Sequence, residues 1–166
     1  MSCGKPRGLG PALVITLTLA SSVSLAQQPQ QLPPEASFTA GRQQVLLEVA
    51  RTPAQQSVGL MYRTGLDPNR GMLFPYSPPR LVNFWMKNVP FGLDLVFMRN
   101  GVIQGITAAA PCRRDPCPLY PSPGPVDQVV ELAAGRAEAL GLRLGQSLEI
   151  RPHSSPSSLQ DIKERP

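Results

Sequence analysis

The 166-residue chain carries a formal net charge of +5 and contains 20 prolines, and its length leaves room for one domain with one modest core. Its arginines are spread along the chain rather than clustered, which argues against the basic stripe that nucleic-acid binders use, so no nucleic-acid partner is expected. The single histidine, His153, lies near the C-terminus, which argues against a histidine-based catalytic or metal site, and no metal is expected.

The beginning of the chain has the order of a secretory signal peptide. Lys5 and Arg7 precede an uncharged apolar segment that runs from about Ala12 to Ala26, and Gln27 follows it. This segment is shorter than the ~20 residues that a membrane-spanning helix needs, so we expect cleavage and no permanent membrane span. Cleavage lowers the formal charge from +5 to +3, because it removes two basic residues and no acids. The mature protein is therefore expected in the periplasm or outside the cell.

Polar and proline-rich segments flank the part of the chain that is expected to fold. Residues 27–37 are rich in proline and glutamine and cannot bury much apolar area, so they predict a flexible leader. Residues 152–166 have the same character and predict a disordered tail. A single folded domain is therefore expected over residues 38–151.

Short elements are predicted in the first half of this domain. Apolar and polar residues alternate over residues 45–49, which predicts a strand. Thr52 is a suitable N-cap and is followed by proline, so a helix is expected to begin there and to cover about residues 53–61. A brief strand is expected over residues 72–74.

The most apolar and aromatic segment predicts a longer strand over residues 81–87. Strand periodicity places Phe84 and Met86 on one face, which is expected to meet the core. Trp85 and Lys87 then share the other face. Burying an ionised lysine in such a segment costs free energy unless the lysine is paired or serves a site. This strand is therefore a candidate functional region.

A hairpin and a restricted loop follow. Residues 93–98 and 102–106 flank Asn100 and Gly101, a dipeptide suited to a tight hairpin turn. The proline-rich stretch over residues 108–125 predicts a loop, because proline has no N–H to donate to a central strand. The remaining expected elements are a strand at residues 126–132, a helix at 134–140 and a last strand at 147–151.

These elements predict a mainly β (α+β) domain with two short helices. Many short strands in one small domain favour a small closed or half-closed β-barrel. The closing order of helix, Leu-Gly, Leu-Gly-Gln and strand is also similar to the last unit of a double-psi barrel. That similarity concerns the fold and carries no chemistry.

Several separate motifs occur in a fixed order over roughly residues 38–151. They are Gly59-Leu60-Met61-Tyr62-Arg63, Gly71-Met72-Leu73-Phe74, Phe84-Trp85-Met86-Lys87-Asn88, Leu93-Asp94, Cys112 with Pro116 to Ser122, and Val130-Glu131-Leu132 followed by Gly135, Gly141 and Gly145. Together they resemble one known family, the domain of unknown function 192 family. Val89 departs from the family pattern, which usually has threonine at that position. The resemblance implies a compact β-rich fold, often behind an export signal, with no assigned activity.

Lys87 and Asp94 are the first candidates for a site. They lie on consecutive predicted strands, so an ammonium and a carboxylate could meet across a sheet. As a site, they would supply a cation for an anionic ligand with an acid or base beside it. As structure, they would form a partly buried ion pair that fixes the register of two strands.

Other candidates have similar pairs of interpretations. Trp85 could stack on a flat ligand, or it could anchor the packing of a small domain. Arg63 could bind a carboxylate or phosphate, or it could be a charge at the end of the first helix. Asn88 is expected to form a turn through local backbone hydrogen bonds. Glu131 lies within a strand and needs a partner, for which Arg63 or Lys87 is the natural choice.

Cys112 and Cys117 are the only cysteines of the mature chain. In an exported protein, two cysteines so close in sequence predict a disulfide. The loop-closure entropy of so small a ring corresponds to a stabilisation of about 2 kcal/mol. A redox pair is the alternative, since Arg113 and Arg114 would favour thiolates, although the spacing is longer than Cys-x-x-Cys. A zinc site lacks its third and fourth ligands.

The sequence favours a binding protein over an enzyme. It contains no nucleophile elbow or phosphate-binding glycine loop, its serines have no histidine to activate them, and no cofactor is expected. The leading hypothesis is an exported cell-envelope protein that binds a small anionic ligand or a protein partner through Arg63, Trp85 and Lys87. The alternatives are an envelope enzyme that uses Lys87 with Asp94 or Glu131, and a structural accessory module.

Overall fold

A computed structural model describes Met1 and residues 28–153 of the chain. The predicted signal peptide and most of the predicted tail therefore lie outside the described residues. The strands are β1 (Pro34–Ala40), β2 (Gln43–Val49), β3 (Arg70–Arg80), β4 (Asn83–Trp85), β5 (Leu93–Arg99), β6 (Val102–Ala109), β7 (Leu119–Pro121), β8 (Val126–Ala133) and β9 (Arg151–Pro152), and the helices are α1 (Pro53–Val58) and α2 (Arg136–Ala139).

The strands form one open sheet and one small ribbon. Seven strands pair in the order β6-β5-β8-β3-β2-β1-β9, while β4 and β7 pair only with each other. The domain is mainly β with two short helices, as the sequence predicts, but the expected β-barrel is wrong. The segment that could close it makes one bridge to β6, at Ser147, and then pairs with β1 over only two residues. Without a continuous ladder between the two edges, the sheet stays open.

The chain enters the sheet earlier than the predicted leader allows. β1 begins at Pro34 and pairs antiparallel with β2, and its inward residues Ala36 and Phe38 are buried. Upstream of it, the Leu32 N–H donates to Glu48 Oε2 at 2.8 Å, and Gln30 Nε2 donates to the carbonyl of Gly59 at 2.8 Å. The segment expected to be a flexible leader is thus held by hydrogen bonds from residue 30 onward.

Apolar side chains cover both faces of the sheet. Strand β5, between β6 and β8, is buried along nearly its whole length, as expected for a strand that is covered on both sides. One cluster lies beneath α2 and the closing segment, and the other lies beneath α1 and the ribbon. The first includes Phe38, Leu47, Val96, Val130 and Leu140, and the second includes Leu60, Phe74, Phe84, Leu95 and Phe97.

Two local predictions are confirmed at the level of individual hydrogen bonds and angles. Thr52 caps α1 in a capping box with Gln55, in which each side chain accepts from the other residue's backbone N–H. The β5–β6 hairpin turns at Asn100 and Gly101, with φ angles of 50° and 73°. Helix α1 is shorter than expected because Gly59, at φ 49°, ends it.

The ribbon explains why the aromatic segment is split between core and surface. Phe84 is buried and makes edge-to-face contacts with Phe74 at 5.1 Å and Phe97 at 6.1 Å between ring centroids. Trp85 points the other way and pairs across the ribbon with Leu119. The predicted alternation of this segment is therefore confirmed, although its strand covers only three residues.

Candidate functional site

Lys87 and Asp94 do not meet, which corrects the pairing expected from sequence. Lys87 follows the ribbon, whereas Asp94 lies in β5 of the main sheet, so consecutive strands here are not neighbours. Lys87 Nζ instead lies 3.0 Å from Asp115 Oδ2 in the loop between the two cysteines. Asp94 is buried, and its Oδ2 accepts the N–H of Ala137 at 2.8 Å. Asp94 thus caps the first turn of α2 from a distance.

The ion pair of Lys87 belongs to the protein surface. The side chains of Lys87 and Asp115 are 39% and 66% exposed, so solvent screens their attraction. Surface pairs of this kind contribute about 0–1 kcal/mol. Lys87 is therefore a poor candidate for a catalytic group.

Arg63 is held in a buried, bidentate ion pair that the sequence did not reveal. Its Nη1 and Nη2 donate to the two carboxylate oxygens of Glu48 at 2.8 and 2.7 Å, and Nη2 also donates to the Gln30 carbonyl. Burial opposes the ionisation of Glu48, but hydrogen bonds from Arg63 and Leu32 and the charges of Arg63 and Arg70 hold its pKa below the usual value. The Nε of Arg63 has no hydrogen-bond partner among the described residues.

Glu131 has neither of the partners expected for it. It lies in β8 between Met72 of β3 and Leu95 of β5, where it is only 5% exposed. Burial raises the pKa of its carboxyl group to about 8, against the opposing effect of the Arg63 charge. Its Oε2 has no hydrogen-bond partner among the described residues. At neutral pH, Glu131 is therefore a protonated acid with an unpaired oxygen.

Glu131 and Trp85 line the same cavity, which we call the Trp85–Glu131 cleft. Its volume is about 30 Å³, and Trp85 lies at its rim with 46% of its surface exposed. Helix α1 and the residues after it form one wall, and the ribbon forms the other. The lining residues are Gln56, Ser57, Val58, Gly59, Leu60, Met61, Phe74, Phe84, Trp85, Val89 and Glu131.

Two glycines of the sequence motifs have different roles. Gly59 lines the cleft with a positive φ of 49°, and a Cβ atom there would contact the ring of Phe74. Gly71 lies outside the cleft, where a Cβ atom would lie 2.7 Å from the backbone oxygen of Glu131, so β3 can approach β8 there only without a side chain. Gly59 thus shapes a wall of the cleft, and Gly71 serves the packing of the sheet that carries Glu131.

Tyr62 and Asn88 clamp the two walls together. The Tyr62 N–H donates to the Asn88 carbonyl at 2.8 Å, and Asn88 Nδ2 donates to the Tyr62 hydroxyl at 2.9 Å. Both residues have positive φ angles, 65° and 57°, which are uncommon outside glycine. Asn88 does form a turn, as expected, but its side chain bonds Tyr62 rather than local backbone. Strain of this kind is retained where the surrounding contacts enforce a particular geometry.

The predicted disulfide between Cys112 and Cys117 is present. It closes the loop that carries Asp115 opposite Lys87. The two sulfur atoms and an oxygen of Asp115 all lie within 4.8 Å of one another, but sulfurs bonded to each other are not thiolate ligands. The disulfide therefore has a structural role, because it constrains a loop that has little regular structure of its own.

Comparison with known proteins places this arrangement in a family. The family profile DUF192, described as “Uncharacterized ACR”, matches residues 36–150. The chain belongs to the DUF192 family. This confirms the resemblance stated from the motifs, and the matched region contains every residue of the Trp85–Glu131 cleft. No curated protein matches the chain.

Two solved structures are similar to this DUF192 chain. One is a candidate transcription regulator from Sinorhizobium meliloti, which is 34% identical and has a TM-score of 0.62, with 69% of this chain and 91% of that chain covered. The other is a protein of unknown function from Novosphingobium aromaticivorans, which is 31% identical and has the same TM-score, with 80% and 99% covered. In residues 28–153 of the present chain, no helix is both long and apolar enough to cross a membrane.

The structure thus places the predicted site residues of this DUF192 protein at four separate locations. Trp85 and Glu131 share the cleft. Arg63 and Asn88 line a neighbouring hollow of about 340 Å³ together with Tyr62. Asp94 lies apart beside α2, and Lys87 lies at the disulfide loop. Sequence reasoning missed Glu48 and Tyr62, and the one available indication for Glu48 was an acid within a strand of alternating apolar residues.

Proposed function

We propose that this DUF192 protein is an exported binding protein whose ligand inserts a small polar group into the Trp85–Glu131 cleft. The observation that carries the proposal is the unpaired Oε2 of Glu131, buried at a cavity beside a half-exposed tryptophan. An unpaired buried polar atom costs about 1–3 kcal/mol. A ligand group that pairs with this oxygen would recover that cost, so the site favours occupation.

The size of the cleft limits what can enter it. A volume of about 30 Å³ holds one or two water-sized groups, so only the head of a ligand fits inside. The remainder would lie on the exposed apolar side chains of Trp85 and Leu119, which are paired across the ribbon. Leu81, also exposed, precedes Trp85 in the same segment. The expected ligand therefore has a polar head and an apolar body, in the form of a small molecule or a partner side chain.

Binding explains the cleft better than catalysis does. Among its lining residues, Glu131 is the only ionisable group, so no second acid or base is available for proton transfer. Ser57 also lines the cleft, but no histidine accompanies it. An enzyme that combines Lys87 with Asp94 or Glu131 loses its support, because Lys87 pairs with Asp115 outside the cleft.

The proposal moves the ligand site away from the two cations that the sequence singled out. Arg63 is matched by Glu48 in bidentate fashion, and Lys87 is matched by Asp115. Nucleic acid is not proposed as a partner either. Other arginines, including Arg51, Arg99, Arg136 and Arg151, already donate to acceptors within the fold.

The proposed export is supported by two features outside the cleft. The first is the signal-like N-terminus. The second is the Cys112–Cys117 disulfide, because disulfides persist mainly in oxidising compartments. When the full chain is produced in a bacterial host with a periplasm, we expect N-terminal sequencing of the product to begin at Gln27. A cytoplasmic product that retains Lys5 and Arg7 would refute export.

Four small molecules of equal length test the binding proposal: n-butylamine, n-butanol, butyramide and butyrate. Trp85 is the only tryptophan, so its fluorescence reports directly on the rim of the cleft. These molecules have five or six heavy atoms, and at about 0.8 kcal/mol per atom, within the known range for small ligands, dissociation constants of about 1 mM are expected. We expect at least one of these molecules to change the fluorescence saturably and to raise the unfolding temperature of the exported protein.

Variants locate the binding site. Trp85→Ala and Glu131→Gln are expected to weaken the binding of the effective molecule, as measured by thermal shift. Leu144→Ala is the matched control. Like Trp85, Leu144 is a large apolar residue exposed at the surface, but it does not line the cleft. If none of the four molecules binds, or if Leu144→Ala weakens binding as much as Trp85→Ala does, the proposed site is wrong.

A further inference from the structure

We propose that the head group that enters the Trp85–Glu131 cleft is a primary alkylammonium, carried by a free amine or by the lysine side chain of a partner polypeptide. This inference rests on the proposed function and names its ligand class. It follows from three properties of the cleft: the acceptors that face it, the aromatic side chains around it, and the pairing of the nearby cations.

The cleft presents more acceptors than donors to a ligand. Gln56 Nε2 donates to the carbonyls of Ala50 and Pro75, at 3.1 and 3.0 Å, so both hydrogens of that amide are used. Its carbonyl oxygen is the group that Gln56 can still offer to the cleft. Together with the unpaired Oε2 of Glu131 and the Ser57 hydroxyl, it can accept from a head group that carries several N–H donors. An ammonium has three donors and no acceptor.

Aromatic side chains add an attraction that neutral head groups lack. Trp85, Phe74 and Phe84 all line the cleft, and aromatic rings attract cations through their electron-rich faces. The apolar stem of an alkylammonium would lie along the exposed part of Trp85. The combination of one carboxyl group with several aromatic rings suits an organic cation better than an anion.

The two neighbouring cations are each paired with a carboxylate, which reduces their repulsion of a positively charged ligand. The guanidinium of Arg63 is compensated by the carboxylate of Glu48, and the ammonium of Lys87 is compensated by Asp115. Among the described residues, the electrostatic interactions of Glu131 are with Arg63 and Tyr76. The wall formed by α1 contributes Gln56 and Ser57, neither of which titrates in this range.

Entry of an ammonium is expected to displace the proton of Glu131. The carboxyl O–H bond breaks, the proton leaves to solvent, and the carboxylate pairs with the incoming ammonium. Because the pKa of Glu131 is about 8, this release costs affinity at lower pH. Amine affinity should therefore rise about tenfold per pH unit up to pH 8 and then level off. A neutral head group that binds the protonated acid should show the opposite dependence.

Fluorescence titrations of the exported protein at pH 6 and pH 8 test this inference. We expect n-butylamine to bind about 50-fold more tightly at pH 8, while n-butanol does not gain. Calorimetry at pH 7 in buffers of different ionisation enthalpy should detect about one proton released per bound amine. This measurement needs no variant, so it stands even if a substitution in the cleft impairs folding.

Variants and a second amine complete the test. Glu131→Gln should abolish the pH dependence of amine binding, whereas Glu138→Gln, which changes an exposed glutamate of α2, should leave it unchanged. Nα-acetyl-lysine methylamide tests the lysine source: tighter binding than n-butylamine indicates a polypeptide partner, and weaker binding indicates a free amine. If n-butanol binds as well as n-butylamine at both pH values, the inference is overturned and the binding proposal survives. If neither binds but butyramide or butyrate does, the inference is again overturned and the binding proposal survives, whereas both fail if none of the four molecules binds.

Discussion

Replacing Glu131 by glutamine should stabilise the protein above pH 7 and change its stability little near pH 4.5. The folded-state pKa of Glu131 is raised to about 8, while the unfolded value is near 4.5. Between these values, the unfolded chain has lost the proton that the folded protein keeps, so the free energy of unfolding falls as pH rises. The full window corresponds to an effect on the order of 5 kcal/mol. Glutamine, which does not titrate, removes this loss.

Urea denaturation of the wild type and Glu131→Gln at pH 5, 7 and 8.5 measures the effect. The difference in unfolding free energy should grow with pH and favour the variant. Glu138→Gln serves as the control, since Glu138 is exposed and should give a curve parallel to that of the wild type. If the wild type and Glu131→Gln keep a constant difference across this range, Glu131 is not a buried neutral acid.

Removing the guanidinium of Arg63 should destabilise the protein strongly. The ion pair with Glu48 is buried and bidentate, so Arg63→Met leaves an uncompensated carboxylate inside the fold. Such a break costs about 3–5 kcal/mol. Arg51→Met is the matched control, because Arg51 also donates two hydrogen bonds to a glutamate. Its Nε and Nη2 both donate to Glu35 Oε2, but this pair lies at the surface. That change should cost no more than about 1 kcal/mol.

The pH dependence of the Arg63 variant provides a second check. In the wild type the pKa of Glu48 is lowered, so its contribution to stability is present above about pH 4.5 and is lost as pH falls through the lower folded value. In Arg63→Met that contribution is gone, and protonation of Glu48 should relieve part of the defect in acid. The double variant Arg63→Met, Glu48→Gln should be more stable at pH 7 than Arg63→Met alone. Equal losses for the Arg63 and Arg51 variants would contradict a buried pair.

Local features of this fold could be predicted because short-range chemistry specifies them. The start of α1 follows from Thr52 and Pro53, and the β5–β6 hairpin follows from Asn100 and Gly101. The disulfide follows from the spacing of two cysteines in a short loop. Each of these features involves residues at most a few positions apart. Their prediction requires no knowledge of how the strands are ordered.

The candidate site could be predicted only in part, because its members come together through the order of strands. The sequence identifies both Trp85 and Glu131 as candidates, but it predicts that Glu131 pairs with Arg63 or Lys87. It also predicts that Lys87 and Asp94 meet because their strands are consecutive, yet β4 pairs with β7, and β5 pairs with β6 and β8. Periodicity identifies which residues share a face of a strand. It does not identify which strands are neighbours.

The family of this protein can be recognised from its sequence, and so can its mainly β composition, its turns and caps, and the division of the aromatic segment into a buried and an exposed face. The open sheet, the pairing of Glu48 with Arg63, and the unpaired oxygen of Glu131 beside Trp85 become evident only in the folded protein. The two sets of features differ in the range of the interactions that produce them. Backbone geometry and hydrophobic periodicity act between near neighbours in sequence, whereas the burial and pairing of a charge depend on strands that the whole fold brings together.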